Sequence, residues 1–370
     1  MDEWGTARSW LLHDRATCRT SLTLPNGVVA TTSYDAASQL TGINYQGGAL
    51  TPQNLAYSYD LAGRRVGVSG TLASTQLPAA VASAVYNANN QLTQWGSTAM
   101  TYDLNGNTLN DGTNSYSWDA RNRMVSADGT GASFTYDPLG RRVSKTVQST
   151  TTNFLYDGEN AVQEFGTNPT ANLLTGGVDE RFTRTSATET DNYLTDALGS
   201  TVALTGSTSV TQEQYSYGPY GILSASGGGS TTNSYAYTGR ETDGLGVDYY
   251  RARYYNPTTG RFLSEDPMGF DGSGTNLYAY ASENPLSLTD PFGTCPITCT
   301  GLQVAAAAMM ILILLAMIIA SFFSPWSLLV FMEAIGLADL EFAAFLTIGT
   351  RVAGAVGGVG TIGKALNLCK

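Results

Sequence analysis

The sequence is poor in charge. Only 13% of its 370 residues are Asp, Glu, Lys or Arg, about half the ~25% of an ordinary soluble domain. With three lysines and a net charge of -11, the sequence argues against binding to a phosphate backbone, so nucleic acid is not an expected partner. The single histidine, His13, has no partnered nucleophile and reads as a bystander. Four cysteines (Cys18, Cys295, Cys299, Cys369) are too few and scattered for a disulfide scaffold. Cys295 and Cys299 do not have a zinc-knuckle spacing. No cofactor or metal site is therefore expected. The N-terminus lacks a basic region followed by an apolar core, so no classical signal peptide is visible.

In place of charge the chain carries 41 Gly and 21 Tyr, a mixture that favours strands joined by tight turns over surface helices. A short unit recurs at Tyr34-Asp35, Tyr59-Asp60, Tyr86-Asn87, Tyr102-Asp103, Trp118-Asp119, Tyr136-Asp137 and Tyr156-Asp157. The spacings of 25, 27, 16, 16, 18 and 20 residues suit hairpins of strands of ~6 residues. The aromatic packs on its neighbour, Asp binds backbone N–H groups downstream, and Gly supplies positive φ. One hairpin cannot bury its own face, so the copies stack into a continuous sheet. The recurring pairs Arg64-Arg65 and Arg141-Arg142 read as strand-edge salt bridges. Tyr249-Tyr250 and Tyr254-Tyr255 read as core packing, and Gly227–Ser230 as a flexible loop.

These residues resemble the YD repeats of Rhs and related polymorphic-toxin proteins. The stretch from Tyr237 through Tyr249-Tyr-Arg-Ala-Arg-Tyr-Tyr255 and Gly260-Arg-Phe262 to Asp266-Pro-Met-Gly269 resembles the Rhs-repeat-associated core. So do Asn276-Leu-Tyr-Ala-Tyr280 and Asp290-Pro-Phe-Gly293. The expected fold is mainly β: stacked YD-repeat hairpins in a spiralling sheet or partial shell, followed by an α-helical hydrophobic segment. The expected domains are an N-terminal segment at 1–30, repeats at 31–215, the core at 216–293, and a variable segment at 294–370. Repeats and core cover about residues 30–293, too short a sheet for a large closed shell. The chain therefore reads as the C-terminal end of a longer system or a truncated gene.

The resemblance implies a shell that encapsulates a C-terminal segment and cleaves itself just after the second DPxG. The carboxylates assigned that role fall on Asp266 and Asp290, with the cut among Gly293, Thr294 and Cys295. Arg261, five residues before Asp266, is the candidate cation. Two carboxylates in a closed site share one proton, so that one serves as acid while the other activates water. Asp-Pro-x-Gly is also an ordinary turn sequence. Any enzymatic activity would act once, on the protein itself.

Composition changes after Gly293. Residues 301–370 carry three basic and three acidic residues, and Val304–Phe323 has no charge. Twenty such residues make a helix of ~30 Å, the thickness of a bilayer's hydrocarbon. The last stretch is rich in Gly, which lets helices approach closely in lipid. Two readings compete for residues ~295–370, whose stretch 304–363 would meet the membrane. They are either a membrane-inserting effector, or an anchor or translocation segment. A third reading keeps them as a buried helical module. The expected location is membrane-associated, exported or at the cell surface, with a target or host membrane as partner. An immunity protein and a secretion-system component follow from the resemblance. The alternative function is a membrane-anchored YD-repeat binding or scaffold protein without toxin activity.

Overall fold

The computed structural model describes residues 10–13, 19–74, 76–227, 232–272, 274–294 and 297–298. All belong to one compact unit, Met1–Cys299. The expected helical segment at 304–363, Cys295 and most of the Gly227–Ser230 loop lie outside the described residues.

Among the described residues the only helical elements are four single 3-10 turns, and no helix is long and apolar enough to cross a membrane. Every sheet is antiparallel and takes its strands in chain order. A six-stranded sheet runs from Trp10–His13 to Arg65–Ser69. Small sheets follow between Ala84 and Asn110. A twelve-stranded sheet then runs from Tyr116–Trp118 to Leu223–Ser226. Four short strands come next: Glu241–Thr242, Asp248–Tyr250, Arg253–Asn256 and Arg261–Phe262. They form a separate sheet whose tyrosines are buried, as expected of Tyr249, Tyr250, Tyr254 and Tyr255.

The repeat turns share one construction. In Tyr59-Asp-Leu-Ala-Gly-Arg64, the Asp60 Oδ1 accepts from the amides of Ala62 and Arg64, at 3.0 and 2.9 Å. The Gly63 amide returns to the Asp60 carbonyl, and Gly63 has φ +76°. Asp35, Asp103, Asp119 and Asp196 repeat the double acceptance two and four residues on. The fourth position is Ser38, Asn122 or Gly at positive φ. Such a turn leaves the amides satisfied without a longer loop.

The aromatic residue performs a second task. Tyr59 donates its hydroxyl to the carbonyl of Leu40, Tyr102 to Leu92, Tyr136 to Met124 and Tyr156 to Arg142. Trp118 donates its indole N–H to Thr108 in the same way. Each acceptor lies six residues after the aromatic of the preceding unit, so these five units are each clasped to the one before; half-exposed Tyr86 makes no such bond among the described residues.

Three expectations are corrected. Tyr156-Asp157 is not a repeat turn: Asp157 pairs with Asn160 around a two-residue loop. An overlooked unit begins at Asp196, where Thr195 stands in place of the aromatic; Tyr217 donates to Thr201, six residues after Thr195. The arginine pairs also divide their roles. Arg64 and Arg141 bridge the Asp of their own turn, at 2.7 and 2.8 Å. Arg142 is instead fully buried, bridged to Glu241 and Asp243, with its guanidinium 4.1 Å from the Tyr249 ring centre. It ties the twelve-stranded sheet to the four-stranded one rather than solubilising an edge.

Candidate functional site

The hairpin from Asp248–Tyr250 to Arg253–Asn256 turns through Arg251 and Ala252, so that Tyr250 pairs with Arg253. The second DPxG packs against this turn. The Ala252 amide donates to the Phe292 carbonyl at 3.2 Å. Gly293 has φ +66°, and a Cβ there would lie 2.3 Å from the Tyr250 carbonyl oxygen. Only glycine brings the two backbones this close.

Arg253 is buried at the start of its strand, with its guanidinium 3.6 Å from the Phe262 ring centre. Its Nη2 stands 3.0 Å from Asp266 Oδ2 and 3.2 Å from Asp290 Oδ2. Nη1 donates to the Leu277 carbonyl at 3.0 Å, and Nε donates to the Gly293 carbonyl. One guanidinium therefore joins both expected carboxylates and the backbone of the expected cleavage segment. Burial lowers its pKa, while Asp290 and Asp266 oppose that shift.

Asp266 and Asp290 are 5% and 0% exposed. Each carboxylate divides its oxygens between two tasks. Oδ1 of Asp266 accepts from the Met268 amide at 2.9 Å, and Oδ1 of Asp290 from the Thr294 amide at 3.0 Å. Their carbonyls close the turns onto Gly269 and Gly293. Both DPxG segments are thus turns, and the second oxygen of each Asp still faces Arg253. A Cβ at Gly272 would lie 2.6 Å from Asp266 Oδ2 and 2.7 Å from the Thr294 carbonyl oxygen. The carboxylate and that carbonyl flank the same gap, which stays open because residue 272 is glycine.

Arg261 is not at this site. It donates to the Asn90 carbonyl and, at 3.2 Å, to Asn276 Oδ1, and it stacks on Tyr86 and Tyr278. The strand register explains this. Asn256 pairs with Arg261 and Tyr255 with Phe262, so Arg253 falls level with Ser264, two residues from Asp266. Arg261 falls at the far end of the hairpin. Proximity in the sequence pointed to Arg261, whereas the antiparallel register brings Arg253 to the two carboxylates. Of the expected site residues, Asp266, Asp290, Gly293 and Thr294 converge, and Cys295 lies outside the described residues.

A cavity of about 440 Å3 adjoins this junction. Phe292, Thr294 and Pro267 form part of its wall, and Arg181, Arg240 and Arg251 another part.

Comparison with known proteins places these features in context. The family model described as Teneurin YD-shell matches residues 29–286. The tRNA nuclease WapA of Bacillus subtilis (strain 168) is 31% identical over 275 residues, a match covering 70% of this chain and 12% of WapA. The toxin subunit YenC2 of Yersinia entomophaga is 42% identical over 87 residues, covering 23% of this chain and 9% of YenC2. The TcdB2-TccC3-Cdc42 crystal structure shares the fold with a TM-score of 0.56 at 19% identity, covering 76% of this chain and 19% of that one. The chain thus spans only about an eighth of the length of the WapA relatives it matches.

Proposed function

The chain belongs to the Teneurin YD-shell family, and from that premise we propose that it is a shell segment that cuts itself once at Thr294–Cys295. The observation that carries this reading is the single buried guanidinium of Arg253 shared by Asp266 and Asp290 beside the Gly293 and Thr294 carbonyls. Two carboxylates on one cation leave an excess negative charge in a buried site, which one shared proton removes. Asp266, which flanks the Thr294 carbonyl, is the proposed acid, and Asp290 the proposed base toward the attacking water. Arg253 holds both carboxylates in place and anchors the Gly293 carbonyl, fixing the segment for attack.

The released segment, 295–370, is proposed to be membrane-active, on the strength of its uncharged run at 304–323. The matched relatives include proteins named as toxin subunits, tRNA nucleases and a DNA deaminase toxin. The match to WapA spans 12% of that protein, so its nuclease activity is not carried over, and residues 301–370, with three basic against three acidic residues, hold no cationic excess for a phosphate backbone. We place the protein at a membrane or outside the cell, with an immunity protein and an export component as partners.

Intact mass of the tag-free protein beside Asp290→Asn tests the cut. Two fragments meeting at Thr294 in the wild type, and one chain in the variant, are expected. One uncut chain in both makes the junction a structural tie and the protein a binding or scaffold module. Two fragments in both remove Asp290 from the chemistry.

A further inference from the structure

The cavity beside the junction carries more positive charge than its carboxylates balance. Arg181, Arg240 and Arg251 all gather on Asp179: Arg251 Nη2 stands 2.7 Å from its Oδ1, Arg240 Nη1 bonds the same oxygen, and Arg181 reaches its carbonyl. The other nearby acids are engaged or remote. Glu241 is bridged to buried Arg142, and half-exposed Glu159 lies 3.7 Å from Arg251. Arg181 is 6% exposed, and its Nε has no hydrogen-bond partner among the described residues. The Arg121 guanidinium, on the same wall, donates a long 3.4 Å bond to the Pro138 carbonyl and makes no other bond among the described residues. An unpartnered buried donor among clustered guanidiniums marks a site for a carboxylate or similar anion.

One anion would form at the edge of this cavity, at Thr294, whose carbonyl stands beside Asp266. Thr294 lines the cavity together with Phe292, whose ring lies 5.2 Å from the Arg251 guanidinium. Hydrolysis adds the oxygen of water to the Thr294 carbonyl carbon and breaks its bond to the Cys295 nitrogen. Both water protons end on the departing amine, and Thr294 gains a carboxylate. We infer that this arginine-walled cavity is a product site that retains the new C-terminal carboxylate of Thr294. The inference rests on the cleavage reading above. A retained carboxylate keeps the cut end seated, so the junction stays closed after the covalent link is gone.

The test is carboxypeptidase digestion of the full cut protein, following the mass of the N-terminal fragment. In about 50 mM salt, Thr294 is expected to persist at least tenfold longer than in about 1 M salt, which screens the arginines. Arg181→Gln should shorten that lifetime toward the high-salt value. Arg121→Gln, at an exposed position, should do so in part and keeps the test decisive if Arg181→Gln does not fold. Protection indifferent to salt and to both substitutions would show mere steric shielding and overturn the inference, leaving the cleavage reading intact. An uncut wild-type chain would instead overturn the cleavage reading, and this inference with it.

Discussion

Removing one hydroxyl from a clasp measures what holds successive repeats together. In Tyr136→Phe the ring stays, with Arg123 stacked 4.7 Å from its centre, but the 2.6 Å bond to the Met124 carbonyl is lost. Met124 is fully buried, so water cannot easily replace the missing donor. Burial raises the phenol's pKa, which keeps Tyr136 a donor at any working pH. The 3.2 Å bond to the Tyr254 hydroxyl goes too: Tyr136 gives its one proton to Met124, so buried Tyr254 is the donor there and loses its acceptor, keeping only the bond it accepts from Arg142. A net hydrogen bond is worth ~0.5–1.5 kcal/mol, and stranding a buried partner raises the cost toward ~3 kcal/mol, so we expect a loss of about 1–3 kcal/mol. Urea unfolding in the uncut Asp290→Asn background gives the size. Hydrogen exchange gives the place, since repeat stacks respond to the nearest interface. Protection should fall in Tyr116–Trp118, Met124–Ala127 and Ala132–Tyr136 and not beyond Ala171. A cost below ~0.3 kcal/mol, or protection lost evenly across the twelve strands, would refute the clasp.

Two other substitutions probe the same architecture. Asp191 is buried 3.9 Å from Arg184, and burial, with Glu189 next in importance, pushes its pKa up to about 7. A carboxyl with a raised folded pKa holds extra protons between about pH 4 and 7, so stability is lost as pH rises through that window. Asp191→Asn should flatten the melting-temperature profile and melt at least ~2 °C higher at pH 8; parallel profiles would remove Asp191 as the cause. Gly293→Ala adds a Cβ 2.3 Å from the Tyr250 carbonyl at a φ of +66°, a conformation costing ~1–2 kcal/mol before the clash. Cleavage should be abolished while exchange protection in the twelve-stranded sheet is unchanged. Normal cleavage would show that the close approach is dispensable.

The repeat was legible because its parts are side chains: the aromatic, the Asp and the glycine stand in order, and each has a local task. The clasp was not, because its acceptor is a backbone carbonyl that any residue supplies; Leu40, Leu92, Thr108, Met124 and Arg142 share no side-chain chemistry. Asp196 escaped notice for the converse reason, its turn being intact without the aromatic signal. At the junction the two carboxylates were named through the resemblance of the DPxG segments to the Rhs core, yet the cation beside them was not. Arg253 reaches them through a pairing register that sequence distance conceals. Arg142 shows the same limit, since nothing in Arg-Arg distinguishes the surface partner of Asp137 from the one buried against Glu241 and Asp243.

Strands taken in strict chain order have a consequence for how such a molecule is made. During synthesis, at ~5–20 residues per second, each strand of the large sheet meets an earlier partner as soon as it leaves the ribosome. Loop-closure costs stay small because no strand waits for a distant mate. The hairpin bearing Arg253 emerges after the sheet it packs on, and Asp290 emerges later still. The cluster of Arg253, Asp266 and Asp290 is therefore completed only when the wall around it has been laid down.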